Sequence, residues 1–285
     1  MRIKHLANLT RSAAPHPDKL KQAMASYTTI KLTWHPTWVQ VTLDRPDKLN
    51  PLDWGTVREL RTALAEINAN NEVIAAVITG AGRSFSAGGD LAAYVDMYKD
   101  GDQYTAFLED FYQLLTGLEA SEKIIIAAVN GVCVAGGLEL LLACDIVIAA
   151  DTAKIGDGHT NFGQLPGAGG SQRLPRAIGL TQAKDLIFTG ELLPAAEAQR
   201  IGLVNRVVPA ASFDKEVEAY VQLLAQKSPA GLKTAKRLVN MTMSLSLNEG
   251  LRREIEILRG YVTTEPDATE GLIAFAEKRK PAFSR

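Results

Sequence analysis

The chain has 285 residues, 46% of them apolar, enough to bury a sizeable core without disulfide or metal staples. Its 31 basic and 32 acidic side chains nearly cancel, so no broad positive field exists to hold a nucleic-acid backbone and no acidic excess marks a solvating tail. Two cysteines, Cys133 and Cys144, lie in apolar surroundings, the pattern of reduced thiols in a cytosol-like compartment. The longest apolar tracts are broken by Asn130, Glu139 and Asp145 before the ~20 residues that a spanning helix needs. A soluble, cytoplasmic protein that binds neither nucleic acid nor membrane is expected.

Residues 1–25 carry five basic side chains against one acid, Asp18, with two prolines and no sustained apolar period, and read as a flexible arm. From Ile30 to Leu43, alternation of β-branched and aromatic residues predicts a hairpin turning at His35-Pro36. A loop follows, then helical spacing over 53–69 with Leu60, Leu64 and Ile67 on one side. The runs "VIAAVITG", "KIIIAAVNG" and "IVIAAD" predict buried strands, separated by a helix over 103–119 and a short helix in "GGLELLLACD". Strands alternating with helices predict an α/β layered core over 26–212. No sequence repeat of 20–50 residues is visible, so any repetition is architectural. Beyond residue 180 the spacing predicts helices over 181–189, 195–201, 213–227, 229–243, 247–262 and 268–279, with 213–285 forming a helical module too small to stand alone.

The usual glycine-loop templates fail. Gly80-Ala81-Gly82 is followed by Phe85, and Gly167-Ala168-Gly169 by Gln172, where a dinucleotide fingerprint wants glycine. No phosphate loop, no His-Glu-x-x-His and no Gly-x-Ser-x-Gly elbow occurs. One histidine beyond residue 35 and two cysteines give little material for a transition-metal site.

Two other segments share a physical theme. "SFSAGGDL" (84–91) runs through small residues into a helix starting near Asp90, and in "NGVCVAGGLELLLACD" (130–145) Gly136-Gly137 opens a helix carrying Glu139 in its first turn. Helix starts of this kind present N–H donors without intrahelical partners, suited to an oxyanion. The same glycines also permit tight turns, and Glu139 is a favourable first-turn acid. An acid flanked by Leu138, Leu140, Leu141 and Leu142 nonetheless costs free energy unless it has a task or a partner.

With "PGAGGSQRLPRAIG", "AAEAQRIGLVNRVVP" and the closing "AFAEKRKPAF", these blocks resemble the crotonase superfamily of enoyl-CoA hydratases and isomerases across about residues 27–285. The resemblance implies a crotonase-like ββα spiral core, a C-terminal helical module that builds a homotrimer or homohexamer, and an acyl-CoA thioester substrate that brings its own coenzyme A, with no resident cofactor and no metal. It implies an oxyanion hole at Ala87 and Gly136, and a coenzyme A pocket along the backbone from Phe85 through Ala87, Gly88 and Gly89 to Asp90. It implies further contacts at Lys48, Phe275 and Lys278, although exposed lysines are commonly just solvated. Trp54, Tyr94, Met97, Tyr98 and Phe107 fall in segments that cap the acyl pocket of the family, while aromatics at helical spacing also serve as plain core.

The family's hydratases use two glutamates. The first is retained as Glu139; at the second position stands His159. As a turn residue, His159 would make side-chain hydrogen bonds with Asp157, Gly158 and Asn161. As a catalytic residue it would exchange protons near neutral pH. Three functions stay open. The first is hydration or isomerisation of an enoyl-CoA with Glu139 and His159 as acid and base. The second is hydrolysis of a thioester or a β-diketone C–C bond by the same residues, and the third a catalytically altered coenzyme A-binding protein.

Overall fold

The computed structural model describes residues 26–284, so the basic arm over 1–25 lies outside the described residues. The chain opens with the expected hairpin, β1 (Ile30–Trp34) and β2 (Trp38–Leu43), paired antiparallel. Helix α1 (Trp54–Ala69) follows, started by Asp53, whose side chain accepts from the Thr56 N–H and pairs with Arg45. Its buried stripe includes Leu60, Leu64 and Ile67, as the spacing predicts.

The next stretch repeats one plan. Each long buried strand is followed within a few residues by a three-residue strand and a helix: β3 (Ala75–Gly80), β4 (Ser84–Ser86) and α2 (Leu91–Met97), with α3 (Gly101–Ala120) appended; then β5 (Ile124–Val129), β6 (Val132–Val134) and α4 (Gly136–Leu142); then β7 (Ile146–Ala150) and β8 (Lys154–Gly156). Long and short strands go to different sheets. Two further strands, β9 (Leu193–Pro194) and β10 (Arg206–Val208), complete a six-stranded sheet in the order β1-β2-β3-β5-β7-β10 and a four-stranded sheet in the order β4-β6-β8-β9. Strands from successive turns run parallel within each sheet, the expected ββα spiral.

Strand β5 shows why the long strands read as unbroken apolar runs. Ile125, Ala127 and Val129 face one core with α1, α3 and α4, while Ile124, Ile126 and Ala128 face a second core on the other side of the sheet. That second face is covered by Phe213, Val217 and Val221 of α8 (Phe213–Leu224).

Four elements go beyond the sequence expectation. Helix α5 (Gly170–Ile178) precedes α6 (Leu180–Thr189), the short strands β6 and β9 stand where no strand was expected, and β10 lies in a region that reads as helical. The remaining helices are α7 (Ala195–Arg200), α9 (Pro229–Asn240), α10 (Leu247–Thr264) and α11 (Asp267–Ala276). Among the described residues no helix is long and apolar enough to cross a membrane.

Helix α9 is tied to the core by a buried ion. Lys236 Nζ lies 2.8 Å from Asp145 Oδ2 and donates to the carbonyls of Leu118 and Lys123 at 3.0 Å. Lys236→Met, which leaves the Asp145 carboxylate unpaired, is expected to destabilise the protein by about 3 kcal/mol, read as a lowered midpoint in chemical denaturation.

Candidate active site

The parallel pairing of β4, β6 and β8 aligns their C-terminal ends, with Ser86 opposite Cys133 and Val134 opposite Gly156. The segments that leave these ends, 87–90, 135–136 and 157–159, therefore emerge side by side. They frame a cavity of about 640 Å³ including its open mouth, lined by Gly89, Gly136, Glu139 and His159 among others.

Glu139 is 2% exposed. Its Oε1 accepts the backbone N–H groups of Ala168 and Gly170, at 2.8 and 2.9 Å, from the loop entering α5. Its Oε2 takes no hydrogen bond from the described residues. Burial raises the carboxyl above its ordinary range; the Gly170 N–H, the charge of His159 and the Ala168 N–H act against this without cancelling it. The result is a carboxylate with one oxygen anchored and one left for a ligand.

His159 opens a 3-10 turn over His159–Phe162. Its ring Nδ1 lies 3.0 Å from Asp157 Oδ1, and the same oxygen accepts the His159 backbone N–H at 3.2 Å. Burial alone would lower the imidazole's affinity for a proton, but the hydrogen bond and charge of Asp157, with Glu139 beyond, outweigh it and leave the ring more basic than usual. The turn-type contact with Asp157 expected from sequence is present, and the ring still lines the cavity with Glu139. The third group of that expected turn, Asn161, instead donates to the carbonyl of Gly190.

The oxyanion expectation needs a correction. The N–H of Ala87 donates to the Leu49 carbonyl at 2.9 Å, so it is committed to the loop that carries Lys48. Gly88 N–H is likewise taken, by Ser86 Oγ at 3.1 Å. The N–H of Gly89 has no acceptor among the described residues, and Gly89 lines the cavity, as does Gly136 at the first position of α4. Gly88 makes this proximity possible: a Cβ there would lie 3.1 Å from the Gly136 nitrogen and 2.8 Å from Ala135 Cβ. Ala135 itself is held at φ 55°, a conformation non-glycine residues seldom adopt outside functional sites.

The other expected contacts divide. Phe85 is fully buried in the main core, so only its backbone is available, and Asp90 caps α2 by accepting from Ala92 and Ala93. Lys48 is exposed at the end of the turn Pro46–Lys48. Phe275, 85% exposed, and Lys278 lie at the end of α11 and do not line the cavity of their own chain. Of the acyl-pocket aromatics, Tyr94, Tyr98 and Phe107 line the cavity, whereas Met97 is core and Trp54 instead donates to Asp110. Sequence reasoning missed Tyr104, Phe162 and Gln164 on the wall, and the two N–H groups that hold Glu139. The loop "PGAGG" carries those donors, but backbone groups leave no residue-type signal.

A fold and a site of this form define an acyl-CoA enzyme of the crotonase type, and comparison with known proteins agrees. Residues 36–285 match the family model described as enoyl-CoA hydratase/isomerase. The chain is 42% identical over 245 residues to a probable enoyl-CoA hydratase of Mycobacterium bovis, covering 86% of this chain and 93% of that one. To the short-chain-enoyl-CoA hydratase of Clostridium acetobutylicum it is 37% identical over 241 residues, covering 84% and 91%. The crystal structure of an enoyl-CoA hydratase from Bacillus anthracis superposes with a TM-score of 0.85 at 35% identity, covering 90% of this chain and 99% of that one. The chain belongs to the enoyl-CoA hydratase/isomerase family.

Gly158 sets the turn that brings Asp157 to His159: it sits at φ +68°, and a Cβ there would meet Val134 Cγ2 at 2.5 Å. Gly158→Ala is expected to cost about 1–2 kcal/mol of stability and to lower activity, both measurable by thermal unfolding and an enoyl-CoA assay.

Proposed function

We propose that the protein hydrates a 2-enoyl-CoA thioester, with the N–H groups of Gly89 and Gly136 holding the thioester oxygen, Glu139 as base and His159 as acid. The observation that carries this reading is the state of Glu139: one oxygen fixed by two backbone donors, the other facing a cavity that it shares with a basic imidazole. The anchored carboxylate takes a proton from water as the oxygen adds to the β-carbon. Negative charge moves onto the thioester oxygen, where two preorganised N–H donors stabilise it by several kcal/mol, about 3–4 for each. The imidazolium of His159 gives its proton to the α-carbon. The proton on Glu139 then passes back to His159, and the pair is ready for another turnover. Run without water, the same two groups move a proton between carbons, which is isomerisation.

The Asp157–His159 contact also suits a second reading, in which the imidazole and Glu139 activate water against a thioester or β-keto carbonyl. Products separate the two: hydration removes the conjugated thioester absorbance without free thiol, whereas hydrolysis releases thiol or a new carboxylate. Turnover of saturated thioesters or β-diketones with enoyl-CoA inert would replace the hydratase reading. Glu139→Gln is expected to lower kcat by about 10²–10⁴-fold, and His159→Glu to preserve or raise hydratase activity. Full activity in His159→Ala would return the ring to a turn role, and tight coenzyme A binding without turnover across a thioester panel would favour a binding protein.

The direction of each shift sets the pH profile. Glu139 must be ionised and its carboxyl is raised, so kcat/KM for hydration rises at a higher pH than an ordinary carboxylate would give. His159 must be protonated and its ring is raised, so the fall comes above the ordinary histidine range of about 6.5. A fall at or below that range would contradict the acid role.

We further assign residues 213–285 the assembly of a homotrimer or homohexamer. Leu247, Leu251, Ile255, Leu258 and Val262 form an exposed apolar stripe along α10, each at least half exposed. Stripes of this kind mark protein contacts. Light scattering is expected to give a mass of three or six chains, falling toward one in Leu251→Arg/Ile255→Arg.

A further inference from the structure

We propose that Asp157 is a positioning residue: it holds the His159 imidazole with Nδ1 as the donor, so that Nε2 is the nitrogen presented to the cavity. The inference rests on the acid role of His159 stated above and adds a group that does not itself reach the substrate.

Asp157 is 0% exposed. Its Oδ1 accepts the His159 backbone N–H and lies 3.0 Å from the ring Nδ1, while Oδ2 is buried with no partner among the described residues. A buried carboxylate with half of its acceptor capacity unmet is costly unless a charge lies beside it. Within reach on its own turn stands the imidazole, 3.0 Å away. The arrangement is built locally: Gly158 in the left-handed region lets residues two apart face each other, and the 3.2 Å backbone bond fixes the Asp157 side chain beside the ring.

The chemistry follows from the donor inventory. An ionised carboxylate only accepts, so the neutral ring must carry its proton on Nδ1, leaving the Nε2 lone pair toward the cavity. Protonation then occurs at Nε2, where the α-carbon of an enoyl thioester would receive the proton. The charged group facing the ring from a neighbouring element is Glu139 of α4. Tyr94, Tyr98 and Tyr104 line the same cavity. Asp157 and Glu139 therefore both favour the imidazolium, but only Asp157 is hydrogen-bonded to the ring and can select its tautomer.

The test uses Asp157→Asn, which keeps an acceptor beside Nδ1 and removes the charge. Expected are a kcat lower by about tenfold or more with KM within twofold, and a fall of the kcat profile at lower pH than in the wild type. In a His159→Gln background the same change should cost nothing further, because Asp157 acts through the ring. If His159→Gln is itself fully active, the acid role fails. If His159→Gln is impaired while Asp157→Asn matches the wild type in kcat and pH profile, the positioning role alone fails. Losses that add in the double variant, with the pH profile unmoved, would show a merely structural residue and also overturn it. Should Asp157→Asn not fold, nitrogen NMR of histidine-labelled wild type decides: the proposal requires the Nδ1–H tautomer in neutral His159 and a midpoint above about 6.5. The Nε2–H tautomer would overturn it.

Discussion

The structure depends on the parallel pairing of three three-residue strands, β4, β6 and β8. None of them could stand alone, since a strand of that length buries almost no surface and makes few hydrogen bonds. They are held because each is the continuation of a long strand, β3, β5 or β7, in the six-stranded sheet, where both faces are buried. The large sheet supplies the stability; the small sheet converts it into position. Three loops that are far apart in sequence leave three adjacent strand ends and meet at one cavity.

What meets there is a set of groups whose ordinary preferences are offset against one another. Burial disfavours charge on Glu139, and backbone donors from the 168–170 loop restore part of it. Burial disfavours charge on His159, and Asp157 more than restores it. Glu139 and His159 each favour the charged form of the other. The N–H groups of Gly89 and Gly136, without an acceptor among the described residues, add a fixed positive potential beside them. The Ala135 backbone, held at positive φ immediately before α4, is part of aiming the second of those donors.

Legibility in the sequence followed the size of the physical signal. The hairpin, α1, and the strands β3, β5 and β7 were readable because burial imposes a period or an unbroken apolar run on side chains. The strand β6 was not, because three residues cannot display a period, and β10 was masked by the helices around it. The acid Glu139 stood out through its leucine neighbours, and His159 through its departure from a family pattern. The proposed oxyanion donors were harder: Ala87 and Gly89 differ by two positions in a run of small residues, and the proposal turns on which N–H the Leu49 carbonyl has already taken.

By itself, then, the sequence determined the family and the α/β alternation, and it singled out Glu139 and His159 as the side chains proposed to handle protons, because side-chain type and periodicity are written residue by residue. Only the tertiary structure decided which backbone donors are free, which oxygen of Glu139 is anchored, and that Asp157 faces the inner nitrogen of His159. Those properties belong to hydrogen bonds between segments brought together by strand pairing, among them one 29 residues apart between Ala168 and Glu139. A backbone N–H has no letter of its own, and its availability is set by where the rest of the chain folds.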